Sequence, residues 1–427
     1  MFKKTTNLLR AWLAAAAVLT TTTVSAVSTN MCTPLDLDGE LLKPINSIRV
    51  ATFNISLNRY QSGQLISDLQ TTDHPQISAV AEIIQRVNPD IILLNEIDYD
   101  ANHTAIDLFK SNYLSVSQNG QKPVNYPYVF AAQSNTGIPS GFDLDNDGNT
   151  DGPGDAFGFG SFPGQYGMAI LSKYPIDHFR ARTFQKFLWK DMPGALLPDD
   201  TSSDEPMDYY SADELAEFRL SSKSHWDIPV WVKGRRVHIL AAHPTPPVFD
   251  GPEDRNGRRN HDEIRFWADY ISGIKQSQYI YDDNGRRGGL RGNAAFVILG
   301  DYNADPFDGD STNNAIAQLL EHSSIQNHFT PGSLGAIEDS QLEGAANLEH
   351  TGHPALDTGD FNPAAPGNLR VDYVLPSKRR IQSLCGGVFW PDSTAETRRL
   401  VGDGYPVISS DHHLVWSDIK LKVNRFH

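Results

Sequence analysis

The chain has 427 residues, 39% of them hydrophobic and 10% aromatic, which is enough for a large core in either two domains or one big α/β domain. A net charge of −16 argues against a broad nucleic-acid-binding face and fits a small substrate, a metal-rich site or a saline medium. The frequent Gly and Pro (33 and 26) point to long ordered loops rather than low complexity.

A targeting pattern comes first. Lys3, Lys4 and Arg10 accompany a short apolar run at 11–19 (AWLAAAAVL), and Val24, Ser25 and Ala26 form a small-residue cleavage site. That run is too short to cross a bilayer, and no other stretch approaches about eighteen apolar residues. The reading is a signal peptide at 1–26, an extension at 27–47, and an exported protein, secreted or periplasmic, with no membrane span. The only cysteines, Cys32 and Cys385, suit one disulfide in an oxidising compartment; two unpaired buried thiols are the alternative.

Residues 48–55 (IRVATFNI) alternate like a strand that ends at Asn54. Residues 77–87 have apolar groups at helical spacing and stop at Asn88 and Pro89. Residues 90–98 (DIILLNEID) read as a buried strand with Glu96 at its end, so the three segments make an α/β unit. Residues 133–165 form a loop containing DLDNDGNTD, where Asp143, Asp145, Asp147 and Asp151 match part of a calcium loop. Its twelfth position is Gly154 instead of Glu, so the expectation is a structural Ca²⁺ outside a helix-loop-helix, against a solvated acidic loop.

A strand at 165–175 (QYGMAILSKYP) is followed by an irregular stretch, 185–229, holding a polar helix at 212–218. Residues 237–242 (VHILAA) run into His243 and a proline-rich turn. A basic turn at 254–260 (DRNGRRN) then precedes an amphipathic helix at 262–274. Arg255, Arg258 and Arg259 in that turn are candidates for a second anionic group of the substrate; a solvated turn is the alternative. Residues 296–306 (FVILGDYNADP) carry four apolar residues into Gly300, Asp301 and Asn303, as a strand buried on both faces delivers polar groups to a sheet edge. Residues 368–376 and 414–421 read as the last two strands, with Ser409, Ser410, Asp411, His412 and His413 before the second. With no repeat or linker evident, residues 48–422 read as one domain with loop insertions at 133–165 and 185–229.

Asn54, Glu96, His243, Asp301 with Asn303, and Asp411 with His412 thus recur at strand ends, and Asp372 lies within a strand. Asn54, Glu96 and Asp411 offer the oxygen donors that Mg²⁺ or Mn²⁺ prefers. No Cys/His cluster at zinc spacing and no Gly-Lys-Ser/Thr phosphate loop is present.

In TFNIS, PDIILLNEID, YGMAILSKYP, HILAAHPTPP, FVILGDYNADP, RVDYVLPS and SSDHHLVWSDI, over roughly 48–422, the chain resembles the endonuclease/exonuclease/phosphatase superfamily. The resemblance implies an α/β fold, a four-layer sandwich of two packed mixed β-sheets flanked by helices, with a divalent metal at one end. By the same resemblance Glu96 is the main metal ligand, with Asn54 beside it and Asp411 in support. Asp301 orients or deprotonates the attacking water, Asn303 holds a phosphate oxygen, and His412 contacts the phosphate while Asp372 fixes its tautomer. His243 is a candidate general acid. The adjacent His413 leaves open which imidazole points inward, and the family pattern favours His412. Ser56 stands where the AP endonuclease branch has an acidic residue, which speaks against abasic-site chemistry.

The expectation is an exported metal-dependent phosphoesterase, a monomer that acts by in-line attack of water on small phosphodiesters or phosphomonoesters rather than on nucleic acid. The alternatives are an extracellular nuclease and a non-catalytic calcium-binding scaffold.

Overall fold

The computed structural model describes residues 41–326, 328–403 and 407–422. The proposed signal peptide, most of the 27–47 extension and Cys32 lie outside them. Cys385 is disulfide-bonded.

Eleven strands among the described residues form two sheets. They are β1 (Ile48–Leu57), β2 (Ile91–Ile97), β3 (Tyr128–Phe130), β4 (Met168–Ser172), β5 (Arg182–Thr183), β6 (Trp226–Val232), β7 (Arg235–Ala241), β8 (Ala295–Asp301), β9 (Asp372–Pro376), β10 (Ile381–Val388) and β11 (Val415–Leu421). One sheet has the order β10-β11-β1-β2-β4-β3 and the other β5-β6-β7-β8-β9. Both are mixed: β1–β2 and β7–β8 pair parallel and the remaining pairs antiparallel.

The continuous apolar run of β8 is explained by two cores. Val297 and Leu299 join the cluster between the sheets, together with Val237 and Ile239 of β7 and Val50 of β1. Phe296 and Ile298 point the other way, into a second cluster with Ile264, Trp267 and Ile271 of the helix Arg255–Ile271. Side chains alternate across a strand, so a strand covered on both faces must be apolar at every position. The first cluster also takes in Val80, Ile83 and Ile84 of the helix Pro75–Val87 on the far face of the six-stranded sheet. The layers run helix, sheet, sheet, helix, which is the expected four-layer α/β sandwich.

The helix Pro75–Val87 starts with Pro75, where a missing N–H costs nothing, and stops at Asn88 with φ 51° ahead of Pro89. Arg49 of β1, almost fully buried, pairs with Asp418 directly across on β11 at 2.8 Å and donates to Val87 O at 2.7 Å, joining strand pair and helix.

Three sequence expectations change. The irregular stretch 185–229 ends inside β6, a central strand that Pro229 disguised. Pro229 O accepts from Asp177 N on the side away from β7, while β5 pairs only with Trp226 and Asp227. A strand residue's N and O share one side, so the missing N–H of Pro229 breaks no ladder bond. Next, β10 lies between the strands read as the last two, its pattern weakened by Gly386 and Gly387. Finally, the basic turn at 254–260 is mostly the opening of the helix Arg255–Ile271.

Candidate active site

The expected strand ends converge where the two sheets meet. The six-stranded sheet contributes Asn54 and Glu96 from the ends of β1 and β2, and Ser410, Asp411 and His412 from the approach to β11. The five-stranded sheet contributes His243 after β7, Asp301 at the end of β8, Asn303 just beyond, and Asp372 at the start of β9. Asp301 and Asp372 are register partners, so their neighbourhood follows from the β8–β9 pairing. Asn54 Nδ2 donates to Asp301 Oδ2 at 3.1 Å, a hydrogen bond that joins the two sheets at this point.

Backbone conformation re-aims these groups. Ser56, Glu96 and Asn303 have φ of 46°, 58° and 50°, in the left-handed region that side-chain-bearing residues seldom adopt and that clusters at functional sites. Gly300 has φ 153°, and a Cβ there would sit 2.0 Å from Ala242 O. Only glycine lets β8 come this close to the end of β7, and that approach sets Asp301 beside His243.

Asp301 is the hub. Its Oδ2 lies 3.3 Å from His243 Nε2 and 3.7 Å from His412 Nε2, and its Oδ1 accepts from Asn303 N at 2.9 Å. Burial opposes its ionisation, but the two imidazoles outweigh it and hold the carboxyl below its ordinary range. His412 Nδ1 lies 2.9 Å from Asp372 Oδ2, which also accepts from Thr358 Oγ1 at 2.9 Å. Burial alone would neutralise His412; Asp372 and Asp301 overcome it and raise its pKa well above the usual value. His243 behaves oppositely, since burial and then Lys223 lower it to about 4, so it is neutral near pH 7. His413 turns away into the core, stacked 3.8 Å from Trp390, which settles which of the paired imidazoles faces the site.

Two sets of side chains bring together donors that suit a cation. Asp301, Asp372 and His412 bring ligand atoms within 4.8 Å of one another. A protonated His412 already compensates those carboxylates, so that set fits a cation poorly. Glu96 fits better: burial and then Asp411 raise its carboxyl to about 7, with His412, Lys223 and Asn54 acting the other way. Asn54 borders it, and Asp411 Oδ1 accepts from Ser56 Oγ at 3.1 Å. The donors are all oxygens, as a hard divalent ion requires.

The catalytic groups open into a cavity of about 590 Å³. Its walls are Leu144, Asp145 and Phe159 from one long loop, Tyr210 and Lys223 from the next, Phe249 from the turn after β7, and Arg255 at the start of the helix Arg255–Ile271. The helix Arg255–Ile271 braces these loops. Glu263 accepts from Ser222 N at 2.7 Å and Thr245 N at 2.6 Å, and Asn260 donates to Thr245 O and Tyr302 O.

The three arginines proposed for substrate divide. Arg255 lines the cavity, paired with Glu253. Arg259 also borders it, but its donors are committed to Leu220 O, Phe157 O and Arg219 O, so it holds loops together. Arg258 lies outside the lining, and its Nη1 donates to Leu197 O at 3.1 Å. Arg258 and Arg259 are therefore not a substrate clamp here. In the acidic loop Asp143, Asp145 and Asp147 come together and Asp151 does not. Asp143 already accepts from the backbone N–H groups of Asp147 and Gly148.

Lys223 escaped the sequence reading. It is 8% exposed and lines the cavity. Burial lowers its pKa, opposed by Glu263, Glu96 and Asp301. Its place in the polar stretch SSKSHWD gave no signal, because only tertiary packing buries it.

The profile of the Endonuclease/Exonuclease/phosphatase family matches residues 51–412. Among solved structures, an endonuclease/exonuclease/phosphatase from Beutenbergia cavernae is similar at 16% identity and a TM-score of 0.45, covering 88% of this chain and 72% of that one. A mutant beta toxin from Staphylococcus aureus with bound magnesium ions is similar at 14% identity and 0.43, covering 87% and 99%. The human Nocturnin catalytic domain with bound sulfate is similar at 14% and 0.41, covering 89% and 97%. No curated protein sequence matches the chain.

Proposed function

The chain belongs to the Endonuclease/Exonuclease/phosphatase family, whose members are metal-dependent phosphoric ester hydrolases, and from that premise we propose that it is an exported enzyme hydrolysing small phosphodiesters or phosphomonoesters. One observation carries the substrate class: the catalytic groups sit in a cavity of about 590 Å³ walled by three loops. That volume is typical of small-molecule sites, and its rim of Phe159, Phe249 and Tyr210 suits an organic leaving group. No helix among the described residues is long and apolar enough to cross a membrane.

A divalent ion, Mg²⁺ or Mn²⁺, held by Glu96 with Asn54 and Asp411, would offset the phosphate's negative charge and polarise it. Asp301, kept ionised by its imidazole neighbours, takes the proton of the attacking water at Oδ2. His243 Nε2–H, neutral and 3.3 Å away, holds that oxygen in place. It serves as the general acid only after accepting a proton. His412 offers its Nε2–H to a phosphate oxygen while Asp372 holds Nδ1–H, and Asn303 offers an amide N–H alongside. Lys223 and Arg255 add positive charge on the cavity side.

The acidic loop is the finer part of this reading. A Ca²⁺ at Asp143, Asp145 and Asp147 would order a cavity wall, since Asp145 lines the cavity and its buried Oδ1 lacks a hydrogen-bond partner.

The direct test is turnover with Mg²⁺ of bis-p-nitrophenyl phosphate, p-nitrophenyl phosphate and plasmid DNA. The expected result is cleavage of a small ester, lost in Asp301→Asn and His412→Ala. Plasmid degradation without action on either small ester would reverse the substrate order.

A further inference from the structure

Despite the net charge of −16, one groove on this protein is strongly cationic. Eight arginines and a single carboxylate, Asp227, line a space of about 1040 Å³. It shares no lining residue with the catalytic cavity. Arg235 and Arg236 open β7, whereas His243 follows its other end, so the two sites are separated by roughly 20 Å of strand.

The arginines outnumber their acidic partners. Arg180 and Arg236 share Asp177, at 3.1 and 3.9 Å. Arg182 and Arg286 share Asp282, at 2.7 and 3.1 Å. Arg287 and Arg291 make no ion pair among the described residues, and the Nε of Arg236 is buried without a hydrogen-bond partner. Like charges gathered this closely repel one another, and a buried donor without an acceptor is costly, so the arrangement calls for an anion.

Two properties define that anion. All the fixed cations are guanidinium groups, whose planar forks match phosphate oxygens in pairs where lysine presents a point charge. The acidic surface beyond the groove selects against length. With a screening distance of about 8 Å at physiological ionic strength, a ligand confined to the groove meets the arginines alone, whereas a long polyanion or a membrane would also meet the acidic surface. Trp231, 39% exposed and 5.1 Å from the Arg236 guanidinium, supplies a flat wall.

We propose that this groove binds a compact ligand carrying two or more linked phosphate groups, at a site separate from the catalytic cavity. Tripolyphosphate is the probe, titrated calorimetrically into the full chain in metal-free buffer at physiological salt. The expected result is saturable one-to-one binding, weakened about tenfold or more by the double substitution Arg236→Ala/Arg291→Ala. Binding should be unchanged by Lys223→Ala in the catalytic cavity, and turnover of small esters unchanged by the groove substitutions. Arg291→Glu alone, at an exposed residue whose side chain makes no hydrogen bond among the described residues, should weaken binding in the same direction and serves if the double variant misfolds. Loss of binding in Lys223→Ala with retention in both groove variants would overturn the proposal. So would equal affinity for sulfate, or tighter binding of a single-stranded oligonucleotide or of anionic phospholipid vesicles than of tripolyphosphate.

Discussion

Lys223 is held at 8% exposure with no ion pair among the described residues, facing a cavity shared with Glu96 and Asp301. Burying a charge without a partner is unfavourable, and folding alone gives no reason to keep it. A phosphate ester entering the cavity does, because its anionic oxygens would complete the ammonium's bonds. Lys223→Met should therefore lower kcat/KM for small phosphate esters by about 10²–10³-fold. The same substitution should leave the melting temperature unchanged or raise it, a trade-off typical of functional sites. A variant with full activity and a lower melting temperature would make Lys223 structural. This residue also marks a limit of sequence reading. Asp301 and His412 were legible because strand ends and short motifs are local signals. Lys223 and the committed donors of Arg259 were not, because burial and partner choice are set by chain far away.

The helix Arg255–Ile271 does more at the element scale than its place behind β7 and β8 suggests. Its polar residues Arg259, Asn260 and Glu263 tie down the loops that wall the cavity, while its apolar face fills the second core. Its opening was misread as a turn because Arg255, Arg258 and Arg259 look like solvated charges. Its start also lacks a recognisable cap, since Asp254 has φ 54° and makes no capping bond. Against this helix packs His225, just before β6, with ring contacts to Phe266 and Trp267 and with Nε2 donating to Glu263 O at 2.8 Å. Burial pushes its pKa down to about 4, the Glu263 carbonyl opposing. The unfolded chain takes up that proton near 6.5, so between these values the unfolded state binds more protons and stability falls as pH falls. Acidification from pH 7 to 5 should cost about 2 kcal/mol through this group alone. Denaturant unfolding of wild type and His225→Gln at both pH values checks it. The variant should lose less stability on acidification, and equal losses would refute the assignment.

For the whole molecule, charge is distributed in a way that composition conceals. A net −16 reads as uniform acidity, yet eight arginines gather in one groove and carboxylates gather where the two sheets meet. At that meeting point Asn54 and His412 of one sheet bond to Asp301 and Asp372 of the other, beside Glu96, whose carboxyl burial and then Asp411 raise to about 7. A cation there would relieve repulsion between carboxylates at the junction of the two sheets, so metal binding should act on global stability as well as on turnover. A ligand at a hundred times its dissociation constant stabilises by about 2.7 kcal/mol, which for a chain this long is a rise of a few degrees in melting temperature. Thermal unfolding in millimolar Mg²⁺ against chelator should show that rise, and Glu96→Gln should abolish it while raising the metal-free melting temperature, because one of the two repelling carboxylates is gone. Asp145→Ala separates the acidic loop from this effect, since it should leave the Mg²⁺ response intact and reduce only a response to Ca²⁺. A Glu96→Gln protein that still gained stability from Mg²⁺ would move the metal away from the sheet junction and onto other carboxylates.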